Sequence, residues 1–289
     1  MEALLRAADH DVQPALSPEQ FARFCDFFYH HTGILFGEPK RYFVERRVLD
    51  RIRASGSEDF RDYFALIRFD ASGRELQSLV NAMTVNETYF FREDYQFAAL
   101  TSDVLPYLAG LRQRPIRIWS LPCSTGEEPY SIAIAILENW NDADEHAIEI
   151  HASDIDSEVL AQARAGIYGQ RSLQRLSAQL RARYFTALPG ERFRLHEAIR
   201  SSIDFGPVNV VDPRSMARYR DMDVVFCRNL LIYFDDLSRR QAVEAIYESL
   251  APGGFVFLGH SESMSRMSSL FQPRKVDDTI VYQKPLDGE

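Results

Sequence analysis

Cysteine is scarce: Cys25, Cys123 and Cys227 are the only three in 289 residues. Their odd number and wide spacing exclude a disulfide framework and a paired Cys-x-x-Cys metal clip, and fit a reducing, cytoplasmic setting. Glycine and proline, at 14 and 13 residues, are too few for a fibrous or low-complexity chain. Long apolar runs are missing as well. No stretch approaches the roughly 18 apolar residues that span a bilayer, and the opening MEALLRAADHDVQPAL has no basic region followed by an apolar run, so a soluble protein is expected. Positive charge is in deficit, with 33 Lys and Arg against 42 Asp and Glu and a net charge of −9. A main ligand of phosphate backbone is therefore disfavoured. Neither GxGxxG nor a P-loop occurs, so a dinucleotide or a nucleoside triphosphate would find no phosphate cradle.

What is present divides into two patterns. From Ser17 to about Met83 the apolar spacing is helical, opened by Ser17-Pro18-Glu19-Gln20, an N-cap with proline at N1 and a capping-box Gln. Further helices are expected from near Pro39, over Glu58 to Arg68 and over Arg74 to Met83, with breaks at Gly37, Ser55-Gly56-Ser57 and Ser72-Gly73. After a linker and another helix from about Tyr95 to Leu111, short apolar runs alternate with helices. Ile116–Ser120, Ile148–Ala152, Val224–Cys227 and Phe255–Leu258 read as strands of a parallel, doubly wound α/β sheet. Thr279–Tyr282 reads as a closing antiparallel edge strand. Between Tyr168 and Val208 the alternation lapses: SLQRLSAQLRARYF reads as a helix, and RFRLHEAI with SSIDFG as short strands of a β-rich insertion. The expected organisation is a helical domain over 12–84, a linker over 85–94 and a larger α/β domain over 95–289 carrying the insertion at about 168–208.

In a doubly wound sheet, ligands bind beyond the carboxyl ends of the strands, so the residues just after each strand matter most. The first strand is followed by Leu121-Pro122-Cys123-Ser124-Thr125-Gly126-Glu127-Glu128. Locally this fits a doubled capping box, Ser124 with Glu127 and Thr125 with Glu128, as well as it fits a ligand loop. The second strand ends in Ser153-Asp154-Ile155-Asp156. Asp156, directly before SEVLAQAR, suits the N-cap, which leaves Asp154 for the two ribose hydroxyls of a nucleoside. Asn229 follows the strand VVFC and reads either as a turn former or as a ligand.

Taken together, NETYFFRE (Asn86 to Glu93), WSLPCSTGEEPYSIAI (Trp119 to Ile134), ASDID (Ala152 to Asp156), FCRNLLIYFD (Phe226 to Asp235) and PGGFVFLGHSES (Pro252 to Ser263) resemble, in order and spacing, the CheR family of chemotaxis protein methyltransferases. Leu121-Pro122 departs from the small residues usual there. The resemblance implies a Rossmann-like methyltransferase sheet with an N-terminal all-helical domain, and S-adenosylmethionine as cofactor with S-adenosylhomocysteine as product and no metal. It implies transfer of methyl to the γ-carboxylate of specific glutamates on the cytoplasmic helical domain of methyl-accepting chemotaxis receptors. It further implies a monomeric cytoplasmic enzyme, recruited to receptor clusters at the inner membrane without inserting into it, and no nucleic-acid partner. Residue by residue, it assigns Asn86, Thr88 and Arg92 to the cofactor from the linker, Glu128 to the methionine amino end and Asp154 to the ribose. Asn209 and Val210 would line the adenine, Asn229 and Leu230 would lie beneath the sulfonium, and Arg92 with Tyr233 would be nearest the transferred methyl.

A sulfonium meeting a carboxylate needs no general base, since a glutamate of pKa ~4.3 is ionised at neutral pH. The seven histidines therefore need no catalytic role. On local sequence alone, Arg92 would sooner be a surface ion pair with Glu93 or Asp94, and Tyr233 a core aromatic. An acidic enzyme approaching an acidic helix needs a local basic face, and Lys40, Arg41, Arg46, Arg47, Arg51 and Arg53 face only Glu38, Glu45 and Asp50, over a buried stripe of Val44, Val48 and Ile52. Arg46, Arg47, Arg51 and Arg53 are the docking candidates, against the alternative of a solvated face. The short turn Thr186 to Arg192, with one glycine and a proline, points away from a receptor-tail peptide bound at the insertion. The rival readings are a non-catalytic scaffold binding S-adenosylmethionine or S-adenosylhomocysteine, a nucleic-acid methyltransferase and an NAD-dependent dehydrogenase. The last two lack, respectively, an NPPY-type motif and GxGxxG.

Overall fold

The computed structural model describes residues 16–264, 267–276 and 279–286. The boundary expected at residue 12 and the one at 289 lie outside them. The described chain divides into two compact units: a helical one ending at Met83, and a second beginning at Thr84, to which Thr32–Ile34 also belongs.

The helical unit holds α1 (Pro18–Thr32), α2 (Arg41–Ser55), α3 (Phe60–Phe69) and α4 (Arg74–Met83). Its start is a reciprocal capping box: Gln20 N–H donates to Ser17 Oγ at 3.1 Å and Ser17 N–H to Gln20 Oε1 at 2.8 Å. A 3-10 turn, Glu38–Lys40, leads into α2, which stops at Gly56 in the left-handed region, φ 75°. Asp59 caps α3 by accepting from Asp62 N–H. Phe24, Phe28, Val44, Val48, Tyr63 and Leu79 are buried between these helices.

The second unit opens with α5 (Asp94–Ala99) and α6 (Leu105–Leu111), joined by one π turn over Leu100–Val104, where a single helix was expected. Its strands are β1 (Ile116–Ser120), β2 (Ile148–Asp154), β3 (Ile167–Gly169), β4 (Phe185–Leu188), β5 (Arg192–Leu195), β6 (Ile203–Pro207), β7 (Met222–Cys227), β8 (Leu250–Leu258), β9 (Gln272–Val276) and β10 (Thr279–Gln283). The connections carry α7 (Glu127–Asn139), α8 (Ser157–Ala165), α9 (Ala178–Tyr184), α10 (Glu197–Arg200), α11 (Pro213–Met216) and α12 (Asp236–Ser249). Seven strands form one sheet in the order β6-β2-β1-β7-β8-β10-β9. The first five run parallel, and β10 is antiparallel to both its neighbours. From Val224 to Cys227 β7 reads as an unbroken apolar run because both its faces are buried: Val224 and Phe226 enter one core cluster, Val225 and Cys227 the other.

Three local expectations give way. Thr279–Tyr282 is antiparallel but interior, because β9 lies outside it. QPRKV hides its strand character behind Pro273, Arg274 and Lys275, residues that edge strands tolerate and central ones do not. SSIDFG supplies β6 of the main sheet, paired with β2, whereas the small sheet is β3-β5-β4. In SLQRLSAQLRARYF only Ala178–Tyr184 is helical, because Ser177 caps it by accepting from Leu180 N–H and Phe185 already pairs with Leu195.

Candidate active site

The carboxyl ends of β1, β2 and β7 meet the linker at a cavity of about 220 Å³. Its first wall is the loop between β1 and α7. There Gly126 takes φ 93°, and a Cβ in its place would come within 2.9 Å of the Ala163 side chain, so the loop requires glycine. The doubled capping box does not form: α7 has no side-chain cap, and the loop's polar groups go elsewhere. Glu128 accepts from Ser120 Oγ at 2.7 Å and from Arg228 Nη1 at 3.1 Å, while Thr125 Oγ1 donates to Glu127 at 2.6 Å. Burial pushes the Glu128 carboxyl above its ordinary value, against the pull of Arg228.

The second wall is the end of β2. Asp156 caps α8 by accepting from the N–H groups of Glu158 and Val159. Asp154, 3% exposed, accepts from Ser124 N–H at 2.9 Å and Asp156 N–H at 3.0 Å. Burial pushes its carboxyl up to about 6, the two N–H groups opposing.

The linker forms the third wall. Thr84 Oγ1 and Asn86 Nδ2 donate to Asp156 Oδ2 at 2.6 and 2.9 Å, so the α8 cap also pins the linker. Phe90 is buried against Tyr168 and Phe185, with ring centroids 4.9 and 5.3 Å away. Arg92 Nη1 donates to Glu87 O at 2.8 Å, and among the described residues it makes no ion pair with Glu93 or Asp94. Glu93 pairs instead with Arg228 Nη2 at 3.1 Å, and the same nitrogen donates to Arg92 O at 2.6 Å. Arg228, 5% exposed, thus ties the linker to β7 and α7.

Asn86, Thr88, Arg92, Glu128, Asp154, Asn229 and Tyr233 all line this cavity. Tyr233 is a half-exposed lining residue rather than a core aromatic; burial lifts its phenol above the usual value and the Arg92 charge opposes that. Asn209, Val210 and Leu230 are not in the lining. The segment of the first two begins beside Asp154, whose carbonyl accepts from Val208 N–H at 3.0 Å, but Val210 and Leu230 pack with the second core cluster. Three contributors escaped sequence reasoning: Arg228, Glu93 and Glu262. An arginine set directly after the apolar run Val224–Cys227 is the one signal that was available, and it points to Arg228 alone.

Of the docking candidates in the helical unit, Arg51 forks onto Glu75 at 2.9 and 2.6 Å, and Arg47 donates to Ala82 O at 2.5 Å while stacking 3.6 Å from the Phe43 ring centre. Those two are spent on the fold. Arg46 and Arg53 are exposed, Arg53 with a surface pairing to Asp50 at 3.2 Å.

The family models agree with the motif reading. Residues 86–280 match the CheR methyltransferase SAM-binding domain, and residues 19–84 match the CheR methyltransferase all-alpha domain. The chain belongs to the CheR methyltransferase family. It is similar to chemotaxis protein methyltransferase 2 of Vibrio cholerae, 48% identical over 277 residues that cover 95% of this chain and 96% of that one. It is also similar to the chemotaxis protein methyltransferase of Salmonella typhimurium, 36% identical with 90% and 89% covered. Among solved structures, an O-methyltransferase family protein from Burkholderia thailandensis aligns at 12% identity with a TM-score of 0.42, covering 78% of this chain and 64% of that one. As a CheR member the chain is a methyltransferase whose cofactor is S-adenosylmethionine. The cavity suits that cationic nucleoside: the buried carboxylate of Asp154 and the part-buried one of Glu128 face it, and Ser124 Oγ and Arg228 Nε are buried there without a partner among the described residues. No cluster of His, Cys, Asp or Glu able to hold a metal occurs among the described residues, and no helix there is long and apolar enough to cross a membrane.

Proposed function

We propose that this CheR methyltransferase esterifies the γ-carboxylate of glutamates on the cytoplasmic helices of chemotaxis receptors. The observation that carries the reading is the pairing, at one cavity, of the carboxylates of Asp154 and Glu128, suited to a cationic nucleoside, with Arg92 and Tyr233, a cation and a hydroxyl suited to an incoming carboxylate.

The cofactor supplies an electrophilic methyl on a positively charged sulfur. Asp154 holds the ribose hydroxyls, Glu128 the amino end, and Asn86, Thr88 and Asn229 complete the binding shell, with Asn209, Val210 and Leu230 completing the adenine side and the floor. Arg92 orients the glutamate through its planar fork and Tyr233 through its hydroxyl. No residue needs to take a proton, because the nucleophile is already ionised; alignment and exclusion of water remain as the protein's task. Arg228 keeps Arg92 in place through its carbonyl, without itself neutralising the substrate.

Recognition of receptor helices falls to the exposed Arg46 and Arg53, which give an acidic protein a local positive face. In this reading the enzyme acts as a cytoplasmic monomer at receptor clusters, with the small β-sheet carrying no receptor-tail peptide. The test is incubation of the purified protein with methyl-labelled S-adenosylmethionine and a panel of receptor cytoplasmic fragments. Label that enters receptor and leaves in mild base as a methyl ester is expected. Tight cofactor binding with no label transferred to any fragment would instead favour a non-catalytic scaffold.

A further inference from the structure

Glu262 follows β8 and is absent from the cavity lining, so it touches neither cofactor nor substrate in the reading above. Its carboxylate is nevertheless fully engaged. Oε2 accepts from Asn229 N–H at 2.8 Å and Gly259 N–H at 2.9 Å, and Oε1 accepts from Leu231 N–H at 2.9 Å. Two of these donors belong to the turn after β7, thirty or so residues away in sequence, and the third to the turn after β8.

The turn that Glu262 grips has an unusual backbone. Asn229 takes φ 58°, a left-handed conformation that costs most residues strain and that asparagine, with its short polar side chain, tolerates better than most, so a displaced or substituted residue here would not hold the turn as readily. Asn229 immediately precedes Leu230, the N-cap of the 3-10 turn Leu231–Tyr233. The grip is also tight: a Cβ on Gly259 would come within 2.7 Å of Asn229 Nδ2 and 2.8 Å of Glu262 Oε2. Asn229, Ile232 and Tyr233, all on this turn, line the cavity. Burial pushes the Glu262 carboxyl up, and the N–H groups it accepts from pull it back.

We propose that Glu262 is a positioning residue for methyl transfer: its carboxylate templates the Asn229–Leu231 backbone and thereby sets the cavity floor and the approach of Tyr233. A general acid or base role does not suit it, because both oxygens are committed to backbone donors. A glutamine has one carbonyl oxygen for three donors and turns an NH2 group toward at least one of them, so the carboxylate is a requirement of the geometry. The proposal rests on the reading of this cavity as the S-adenosylmethionine site, and its first measurement needs no receptor.

The experiment compares wild type with Glu262→Gln and Gly259→Ala, the second of which keeps the carboxylate but crowds the same contact. S-adenosylhomocysteine affinity is measured by calorimetry well below each variant's unfolding midpoint, and turnover on a receptor fragment at saturating cofactor. Both variants are expected to bind about ten-fold more weakly, the scale of one hydrogen bond to the charged cofactor lost when Asn229 shifts. Both should also turn over more slowly even when saturated, with the receptor KM unchanged. A lowered midpoint with wild-type affinity and wild-type saturated turnover would reduce Glu262 to a structural plug and overturn the proposal. If Glu262→Gln does not fold, Gly259→Ala alone decides. If wild type labels no receptor, the proposed function fails while the calorimetric comparison still judges Glu262.

Discussion

The two ends of the parallel sheet each bury a carboxylate, and they use it in opposite ways. Asp223, near the start of β7, is wholly buried and saturated: Arg112 Nε donates to it at 2.5 Å, Arg114 at 2.8 and 3.1 Å, and Arg117 N–H at 2.9 Å. Asp154, at the end of β2, is as deeply buried but accepts from backbone N–H groups and no cation among the described residues, and it faces a cavity. A carboxylate with its charge neutralised and its lone pairs filled ties elements together. One left charged, with acceptor capacity to spare, is waiting for a donor. Burial alone does not distinguish the two; what remains unsatisfied does.

The sharpest way to break this comparison is to delete each carboxylate. Asp223→Ala should cost about 3 kcal/mol of stability, the low end for breaking a buried pair because Arg114 reaches solvent. Urea unfolding measures this, and S-adenosylhomocysteine affinity in native buffer should stay at its wild-type value. Asp154→Ala should do the reverse, weakening cofactor binding by about 1.5–3 kcal/mol while the unfolding midpoint holds or rises. A destabilised Asp154→Ala protein with unchanged affinity would erase the distinction.

The pH dependence sharpens it further. Because burial raises the folded Asp154 carboxyl to about 6, the folded state holds a proton that the unfolded chain has already released. The free enzyme therefore loses stability as pH rises from the ordinary carboxyl range to about 6. Ribose hydroxyls need the ionised acceptor, so affinity should fall as pH drops below about 6, approaching about ten-fold per unit. Calorimetry between pH 5 and 8 would show it, and Asp154→Asn should flatten the profile.

The smallest effect concerns the same contrast among arginines. Arg46→Glu with Arg53→Glu should change stability by less than about 0.5 kcal/mol, as surface substitutions do, yet raise the receptor KM and weaken its salt dependence. Arg51→Ala, which strips the fork from Glu75, should lose stability instead. Unfolding curves and a salt series on receptor kinetics separate the two classes.

Much of this was legible in the residues themselves. The helical unit announced its caps and breaks, and β1, β2, β7 and β8 their apolar runs, because those signals are local. β9 was illegible because its sequence is that of an edge; β6 was legible as a strand but not as a member of the main sheet, because its partner, β2, is some fifty residues earlier. At the site, Asp154 was separable from Asp156 by capping logic alone. Arg228 and Glu262 were not, since each acts on backbone or carboxylates far along the chain, and no spacing rule links Glu262 to Asn229.

The strand order also carries a timetable. The central pairing joins Ile118 of β1 to Val224 of β7, more than a hundred residues later. On a ribosome adding about 5–20 residues per second, β1 waits roughly 5–20 s for that neighbour. The four helices before Met83 close on partners close by in sequence and can form while the sheet is still unfinished. During that interval β2, α7 and β6 can assemble around β1, but the edge of β1 that β7 will take stays open, an apolar strand edge of the kind that invites mispairing.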